Sequence, residues 1–255
     1  RLILHHHDGR AGHHFKQSPK AVRWASHADQ IVVPSQYLVD VLGGFGLRAC
    51  AIPNIVNQTE FCYRRRDVIR PRFLHNRGLE PHYNVPCTIR AFRAVQCRHP
   101  EATLTIAHNG PVKDQLQAMV SEMGLRHVNF VGAVSQERMR ELYDAADVYL
   151  MSPDVDNMPL SVLECYASGL PVVSTAAGGV PFIVENERTG LLAPVGDDGA
   201  LAQAALRLLE EPGLGLWLAK NARRECYQYQ AASVASEWAR LYRAVLARQT
   251  SESYK

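Results

Sequence analysis

Short apolar runs alternate along the chain with stretches whose apolar residues recur every three to four positions. The runs at 2–5, 30–33, 49–52, 72–74, 103–107, 129–131, 148–150, 171–174 and 190–192 have the length and composition of buried strands. Helical faces lie between the later ones. Ile89, Phe92 and Val95 fall on one side of a helix over 88–97, and Leu116, Met119 and Val120 on one over 113–123. Met139, Leu142, Tyr143 and Ala146 make a third face. This alternation predicts an α/β fold of parallel sheets covered by helices on both sides.

Segment 53–71 breaks the pattern with Pro53-Asn54, a polar stretch at 57–60, Tyr63-Arg64-Arg65-Arg66 and Pro71. Turn formers and charge gather there without a helical period, which marks a domain boundary. About two β-α units precede it, too few for a complete doubly wound domain, and at least five follow, enough for one. Helices are expected at 201–211, 216–227 and 231–248, the last with Trp238, Tyr242 and Val245 in one apolar stripe. The chain opens on Arg1 and a strand-like Leu2-Ile3-Leu4. It is therefore expected to be the later part of a longer protein.

Composition narrows the function classes. The 255 residues are 47% hydrophobic and 21% charged, the balance of a folded globular protein. A formal net charge of +3 argues against nucleic-acid binding through a dominant basic field. No apolar run approaches the ~18 to 20 residues of a membrane span, and no signal-peptide pattern opens the chain. The six cysteines lack CxxC spacing, so reduced thiols are expected rather than a zinc site.

The densest chemistry lies in residues 156–164, Asp-Asn-Met-Pro-Leu-Ser-Val-Leu-Glu, after the strand at 148–150. Pro159 suits the first turn of a helix, and Asn157 or Asp156 suits its cap. The free amides of Met158, Leu160 and Ser161 would then form an anion site in the crevice beyond the strand ends. Asp156 and Glu164 can border that crevice, and carboxylates there would accept hydrogen bonds from vicinal hydroxyls. Gly169 reads as a helix stop, and Gly178-Gly179 as a place where backbone approaches a ligand closely.

This run, with Val172-Val173 and the Gly178-Gly179-Val180-Pro181 loop, resembles the glycosyltransferase family 4 (group 1) signature, E-x7-E followed by A-x-G-x-P-V-V and G-G-x-P. Here the first acid is Asp156, one methylene shorter than glutamate. Val33-Pro34-Ser35, Ile52-Pro53-Asn54, residues 128–132 and Ala146-Asp147-Val148 stand in the same order as in the family. The resemblance implies a GT-B fold of two Rossmann-like, doubly wound parallel-sheet domains, the first only partly present. The expected divisions are 1–56 for the end of the acceptor domain, 57–70 for a linker, 71–228 for the nucleotide-sugar donor domain, and 229–255 for a helix crossing back to the first domain.

The resemblance also implies roles. Glu164 would hold the ribose hydroxyls and Asp156 those of the donor sugar. The Met158, Leu160 and Ser161 amides, with Pro159 between them, would cradle the diphosphate. Val131 and Gly132 would wall the base pocket. His7, ahead of His6, would face the transferred carbon. Two features depart from the family. Its usual Arg and Lys in the first βα loop are replaced, aligned on Leu79, by Gly78 and Tyr83, so Arg77 is the candidate cation, with His75 or His82 assisting. The G-x-G-P loop reads His108-Asn109-Gly110-Pro111, with His108 facing the diphosphate beside Gly110.

The implied reaction is retaining, metal-independent transfer of a sugar from a nucleoside diphosphate to a carbohydrate or lipid-linked acceptor hydroxyl. It needs no cofactor beyond the donor and involves no nucleic acid. The implied location is cytoplasmic, with peripheral placement at the inner membrane face left open. Two alternatives share the pocket: a catalytically impaired nucleotide-sugar binding protein, and a GT-B sugar-nucleotide epimerase or hydrolase. An NAD enzyme is disfavoured, because no G-x-G-x-x-G follows a strand.

Overall fold

A computed structural model describes the backbone of residues 1–252 and side chains through Ala247; residues 253–255, the end of the expected 229–255 segment, lie outside the described residues. The first sheet contains β1 (Ile3–His5), β2 (Gln30–Val33) and β3 (Ala49–Ala51), parallel and in sequence order. Ile3 pairs with Gln30, and Ile31 with Ala49. Helices α1 (Ala11–Gln17), α2 (Pro19–Ala25) and α3 (Gln36–Gly43) connect these strands. The helices α1 and α2 carry no sustained apolar period, because only Ala11, Phe15 and Ala25 are buried along them. Ser35 caps α3, its hydroxyl accepting from the Leu38 amide at 3.3 Å.

The second sheet contains β4 (Arg72–His75), β5 (Thr103–Ala107), β6 (Val128–Gly132), β7 (Val148–Met151), β8 (Val172–Thr175) and β9 (Leu191–Ala193). All its pairings are parallel, in the order β6-β5-β4-β7-β8-β9. Its helices are α4 (Val85–Arg98), α5 (Lys113–Glu122), α6 (Gln136–Ala145), α7 (Leu160–Ser168), α8 (Asp198–Glu210) and α9 (Leu214–Glu225). One core holds Phe73, Phe92, Leu104 and Leu206, and a second holds Leu74, Tyr149, Leu163 and Tyr166. Alternate residues of β4 thus feed opposite faces, as a sheet covered on both sides requires. Strand order reverses between β4 and β7, where the diverging loops open a crevice at the carboxyl edge.

Two predicted ends shift for identifiable reasons. Strand β4 continues through His75, which is fully buried and pairs with Ile106. Helix α4 starts at Val85, because Pro86 in its first turn lacks only an amide that no helical carbonyl would use.

Helix α10 (Ala231–Glu252) lies against the first sheet, where Val234 packs with Val32 and Ile52, and Trp238 and Leu241 join from the side. The stripe is therefore Val234, Trp238, Leu241 and Val245. Tyr242, expected within it, is 49% exposed, since it follows Leu241 by one residue and turns about 100° away. In the connection between the sheets, Arg64 and Arg72 pair with the buried Asp147 at 2.6 and 2.8 Å. Arg66 is itself buried and donates to the carbonyls of Tyr143, Ala146, Ser168 and Gly169. One guanidinium thereby closes the ends of both α6 and α7.

Candidate functional site

The loops after β4 and β7 face each other across the crevice, and each contributes one partner of an ion pair. Arg77, from the first, places Nη2 2.9 Å from Asp156 Oδ2, from the second. The contact is an ion pair without hydrogen-bond alignment, since Asp156 Oδ2 has no hydrogen-bond partner. Asp156 Oδ1 accepts from the Asn157 amide at 2.8 Å. The Arg77 guanidinium lies 4.5 Å from the centre of the Tyr83 ring and donates to its hydroxyl at 3.0 Å. Burial pushes the Asp156 carboxyl up, and the Arg77 charge moderates the rise. Burial also opposes the charge on Arg77, but Asp156 and nearby tyrosines outweigh it and hold the guanidinium above its ordinary value.

This pair lines a cavity of about 380 Å³ whose walls include His7, Arg10, Asn54, Tyr83 and the run from Val155 to Leu160. Pro159 occupies the cap position before α7 rather than its first turn, with ψ at 117°. Neither Asn157 nor Asp156 caps the helix. Asn157 instead bridges to the first sheet's loops, its side chain meeting Ser35 and the His7 carbonyl, the latter at 3.2 Å. Asn54 donates to the Met158 carbonyl at 3.0 Å. The amides of Met158, Leu160 and Ser161 have no hydrogen-bond partner among the described residues. They remain available to an anion at the positive end of α7.

Gly178 and Gly179 make a close approach to the backbone of the acid-bearing turn. A Cβ on Gly179 would lie 1.9 Å from the Asn157 carbonyl oxygen, and one on Gly178 2.2 Å from that of Asp156. The two glycines let this loop press the acid-bearing turn into place. Gly78 plays a smaller role of the same kind, leaving room for the Tyr83 ring 3.3 Å away.

Glu164 does not line the cavity that holds Asp156. One helical turn further along α7, its Oε2 accepts from the Tyr143 hydroxyl at 2.5 Å. Burial raises its carboxyl above the ordinary value, and the Tyr143 hydrogen bond moderates the rise. Behind it stand Asn76, Tyr149 and Ser161, all buried. No sequence pattern marked Asn76, Tyr143 or Tyr149 as site residues, because they converge from three separate elements.

His7 lines the cavity, and its ring meets His5, Nε2 lying 3.2 Å from His5 Nδ1. His5 in turn lies edge-on to Trp238 of α10, with centroids 4.9 Å apart. No group of three His, Cys, Asp or Glu side chains among the described residues has metal-binding geometry. His75 does not face the cavity: it is wholly buried, its Nδ1 meets the Leu150 carbonyl at 3.1 Å, and burial pulls its pKa down to about 4. His82 lies in the cavity wall, 3.4 Å from Glu80.

His108 takes φ of 75°, the left-handed region that glycine enters at least cost, and its amide donates to the Gly132 carbonyl at 2.7 Å. Gly110 has no room for a side chain, since a Cβ would lie 2.1 Å from the Leu79 carbonyl oxygen. Val131 and Gly132 end β6, Val131 partly exposed and Gly132 at φ 73°. The cavity therefore gathers His7, Arg77, Asp156, Met158, Pro159 and Leu160. Ser161, Glu164, His108, Gly110, Val131 and Gly132 lie outside its lining.

The profile of the family described as "Glycosyl transferases group 1" matches residues 66–228. Over 174 residues the chain is 29% identical to an uncharacterized glycosyltransferase of Methanocaldococcus jannaschii, covering 68% of this chain and 43% of that protein. Over 142 residues it is 32% identical to a GDP-mannose-dependent alpha-(1-6)-phosphatidylinositol monomannoside mannosyltransferase of Mycolicibacterium smegmatis, covering 52% and 37%. The chain spans less than half the length of these curated relatives. HepE of Anabaena, solved in complex with UDP-glucose, superposes with a TM-score of 0.85 at 22% identity, over 95% of this chain and 72% of that one. A sucrose-phosphate synthase from Thermosynechococcus elongatus gives 0.81 at 23% identity, over 96% and 68%. At these identities the likeness is one of fold, and that fold is GT-B.

Proposed function

The chain belongs to the group 1 glycosyltransferases, and from that membership we propose that it forms the donor side of an enzyme moving a sugar from a nucleoside diphosphate to an acceptor hydroxyl. The observation that carries the proposal is the meeting of Arg77, Asp156 and the Met158–Leu160 turn, with its unpaired amides, in one cavity at the strand-order reversal.

Departure of the diphosphate builds negative charge, while the sugar gains oxocarbenium character. The amides of Met158, Leu160 and Ser161 and the Arg77 guanidinium stabilise the leaving group by preorganised hydrogen bonding, without a divalent metal. Asp156 offers its carboxylate to a hydroxyl of the donor sugar. Glu164 accepts from the ribose, His7 faces the transferred carbon, Val131 and Gly132 bound the base, and His108 faces the diphosphate beside Gly110. The proposed stereochemical course is retention by front-face transfer, with the leaving phosphate accepting the acceptor's proton. The acceptor is a carbohydrate or a lipid-linked glycan, in keeping with the phosphatidylinositol-directed relative. No helix among the described residues is long and apolar enough to cross a membrane.

A second reading, nucleotide-sugar binding without efficient transfer, is favoured by Tyr83 standing at the family's usual lysine position. Product analysis of the full-length protein with a panel of UDP- and GDP-sugars separates the readings. Glycoside formed with retained anomeric configuration supports the transferase. Free sugar, an epimerised donor or an unchanged donor contradicts it.

A further inference from the structure

Five buried or half-buried side chains form one hydrogen-bonded line from the start of α7 to Glu164. Ser161 Oγ lies 2.9 Å from the Tyr149 hydroxyl, which lies 2.6 Å from Asn76 Oδ1. Asn76 Nδ2 lies 2.5 Å from the Tyr143 hydroxyl, which lies 2.5 Å from Glu164 Oε2.

Counting protons fixes the direction of this line. The Asn76 carbonyl only accepts, so the Tyr149 proton goes to it, and Ser161 must donate to the Tyr149 oxygen. The Asn76 amide only donates, so the Tyr143 oxygen accepts from it and its own proton goes to Glu164. The second Asn76 N–H points at Met139 Sδ, 3.4 Å away, which agrees with this amide orientation. Burial raises both phenols well above their ordinary values, so both remain O–H donors. Arg77 and Glu60 are the charged groups whose fields reach the Glu164 carboxylate. Glu164 Oε1 receives no hydrogen bond from the described residues, while Oε2 is held.

We infer that Tyr143 and Asn76 are positioning residues: their one-way hydrogen-bond line fixes the Glu164 carboxylate so that its remaining oxygen meets the ribose hydroxyls of the donor nucleotide. The inference rests on the proposed role of Glu164. Tyr143 approaches from α6 and Asn76 from the β4 loop, so the carboxylate is held from outside its own helix. The line also joins the two ends of the donor pocket, since it begins at Ser161, whose amide is offered to the diphosphate.

The test measures the affinity of the chain for UDP and GDP and for their 2′-deoxy counterparts, in wild type, Tyr143→Phe and Asn76→Asp. Tyr143→Phe keeps the ring against Phe61 and removes only the hydroxyl, which donates to Glu164 and accepts from Asn76. Asn76→Asp replaces the amide donor with an acceptor that competes for the Tyr143 proton, giving an independent route to the same loss. Wild type should prefer the ribonucleotide about tenfold or more, the scale of a hydrogen bond to a charged group. Both variants should lose most of that preference while keeping their affinity for the 2′-deoxy ligand. Variants that keep the preference, or that weaken both ligands equally, overturn the positioning role. A wild type that binds both forms equally overturns the ribose role of Glu164 itself.

Discussion

Arg77 Nη2 rests 2.9 Å from Asp156 Oδ2, joining the loop after β4 to the loop after β7 across the point where strand order reverses. Each charge makes the other tolerable in a largely buried setting. Tyr83 holds the guanidinium from beneath, so the fork has one defined placement. A diphosphate entering the cavity would meet a cation already oriented rather than a mobile loop side chain.

Arg77→Ala should therefore weaken nucleoside diphosphate binding by about 1.5 to 3 kcal/mol and nucleoside binding far less. His82→Ala tests the other cation candidate in the cavity wall, and a phosphate-selective loss in that variant alone would transfer the role to His82. Removing Arg77 also leaves Asp156 buried without its counter-charge, so stability should fall by about 3 kcal/mol or more. Calorimetry with both ligands and denaturant unfolding check the two halves. Equal small losses for both ligands would remove Arg77 from the phosphate site.

Gly179→Ala should disturb the acid-bearing turn, because the new Cβ would overlap the Asn157 carbonyl. The neighbour is backbone and has little room to yield, so a loss of about 2 to 3 kcal/mol is expected. Gly196→Ala controls for the substitution itself, since nothing lies within 4 Å of a Cβ there, although its φ of 79° carries a separate strain. If unfolding shows Gly179→Ala no less stable than that control, the close approach does not matter.

His75 should give the fold a pH dependence. Its folded pKa is lowered from 6.5 to about 4 by burial, so the unfolded chain binds a proton first as pH falls. His75 is neutral in both states above pH 6.5 and imposes no penalty there. Between 6.5 and about 4, stability should decline by an amount on the order of 3 kcal/mol. His75→Asn, which can still donate to a carbonyl, should flatten that part of the profile. An unchanged slope in the variant would assign the dependence to other groups.

Transfer activity of the full-length protein should survive chelation, because amides and Arg77 carry the leaving-group charge in the proposed mechanism. Activity abolished by EDTA and restored by Mg²⁺ or Mn²⁺ would overturn that part of the proposal.

The strands of the second sheet were legible because each is a short, largely apolar run, buried on both faces in β7 and β8 and partly exposed in the edge strand β6. Thr103–Ala107 is found where the pattern put it, while the histidine ending β4 concealed that strand's last residue. The turn that carries Asp156 was legible as a motif, but its geometry was not. The placement of Pro159 just before α7 and the contact between Gly179 and Asn157 depend on how separate loops dock. Asn76, Tyr143 and Tyr149 were invisible for a related reason. Each suits its own element as an ordinary polar or core residue, and only the packing of β4, α6, β7 and α7 turns them into one hydrogen-bonded line.

The central claim is a nucleoside-diphosphate site anchored by Glu164. It is tested most directly by titrating the chain and its Glu164→Ala variant with UDP and with GDP by calorimetry. The account predicts binding of one of the two nucleotides by wild type, weakened by about 1.5 to 3 kcal/mol in a folded variant. No binding of either nucleotide by wild type, or equal affinity in the variant, would contradict it.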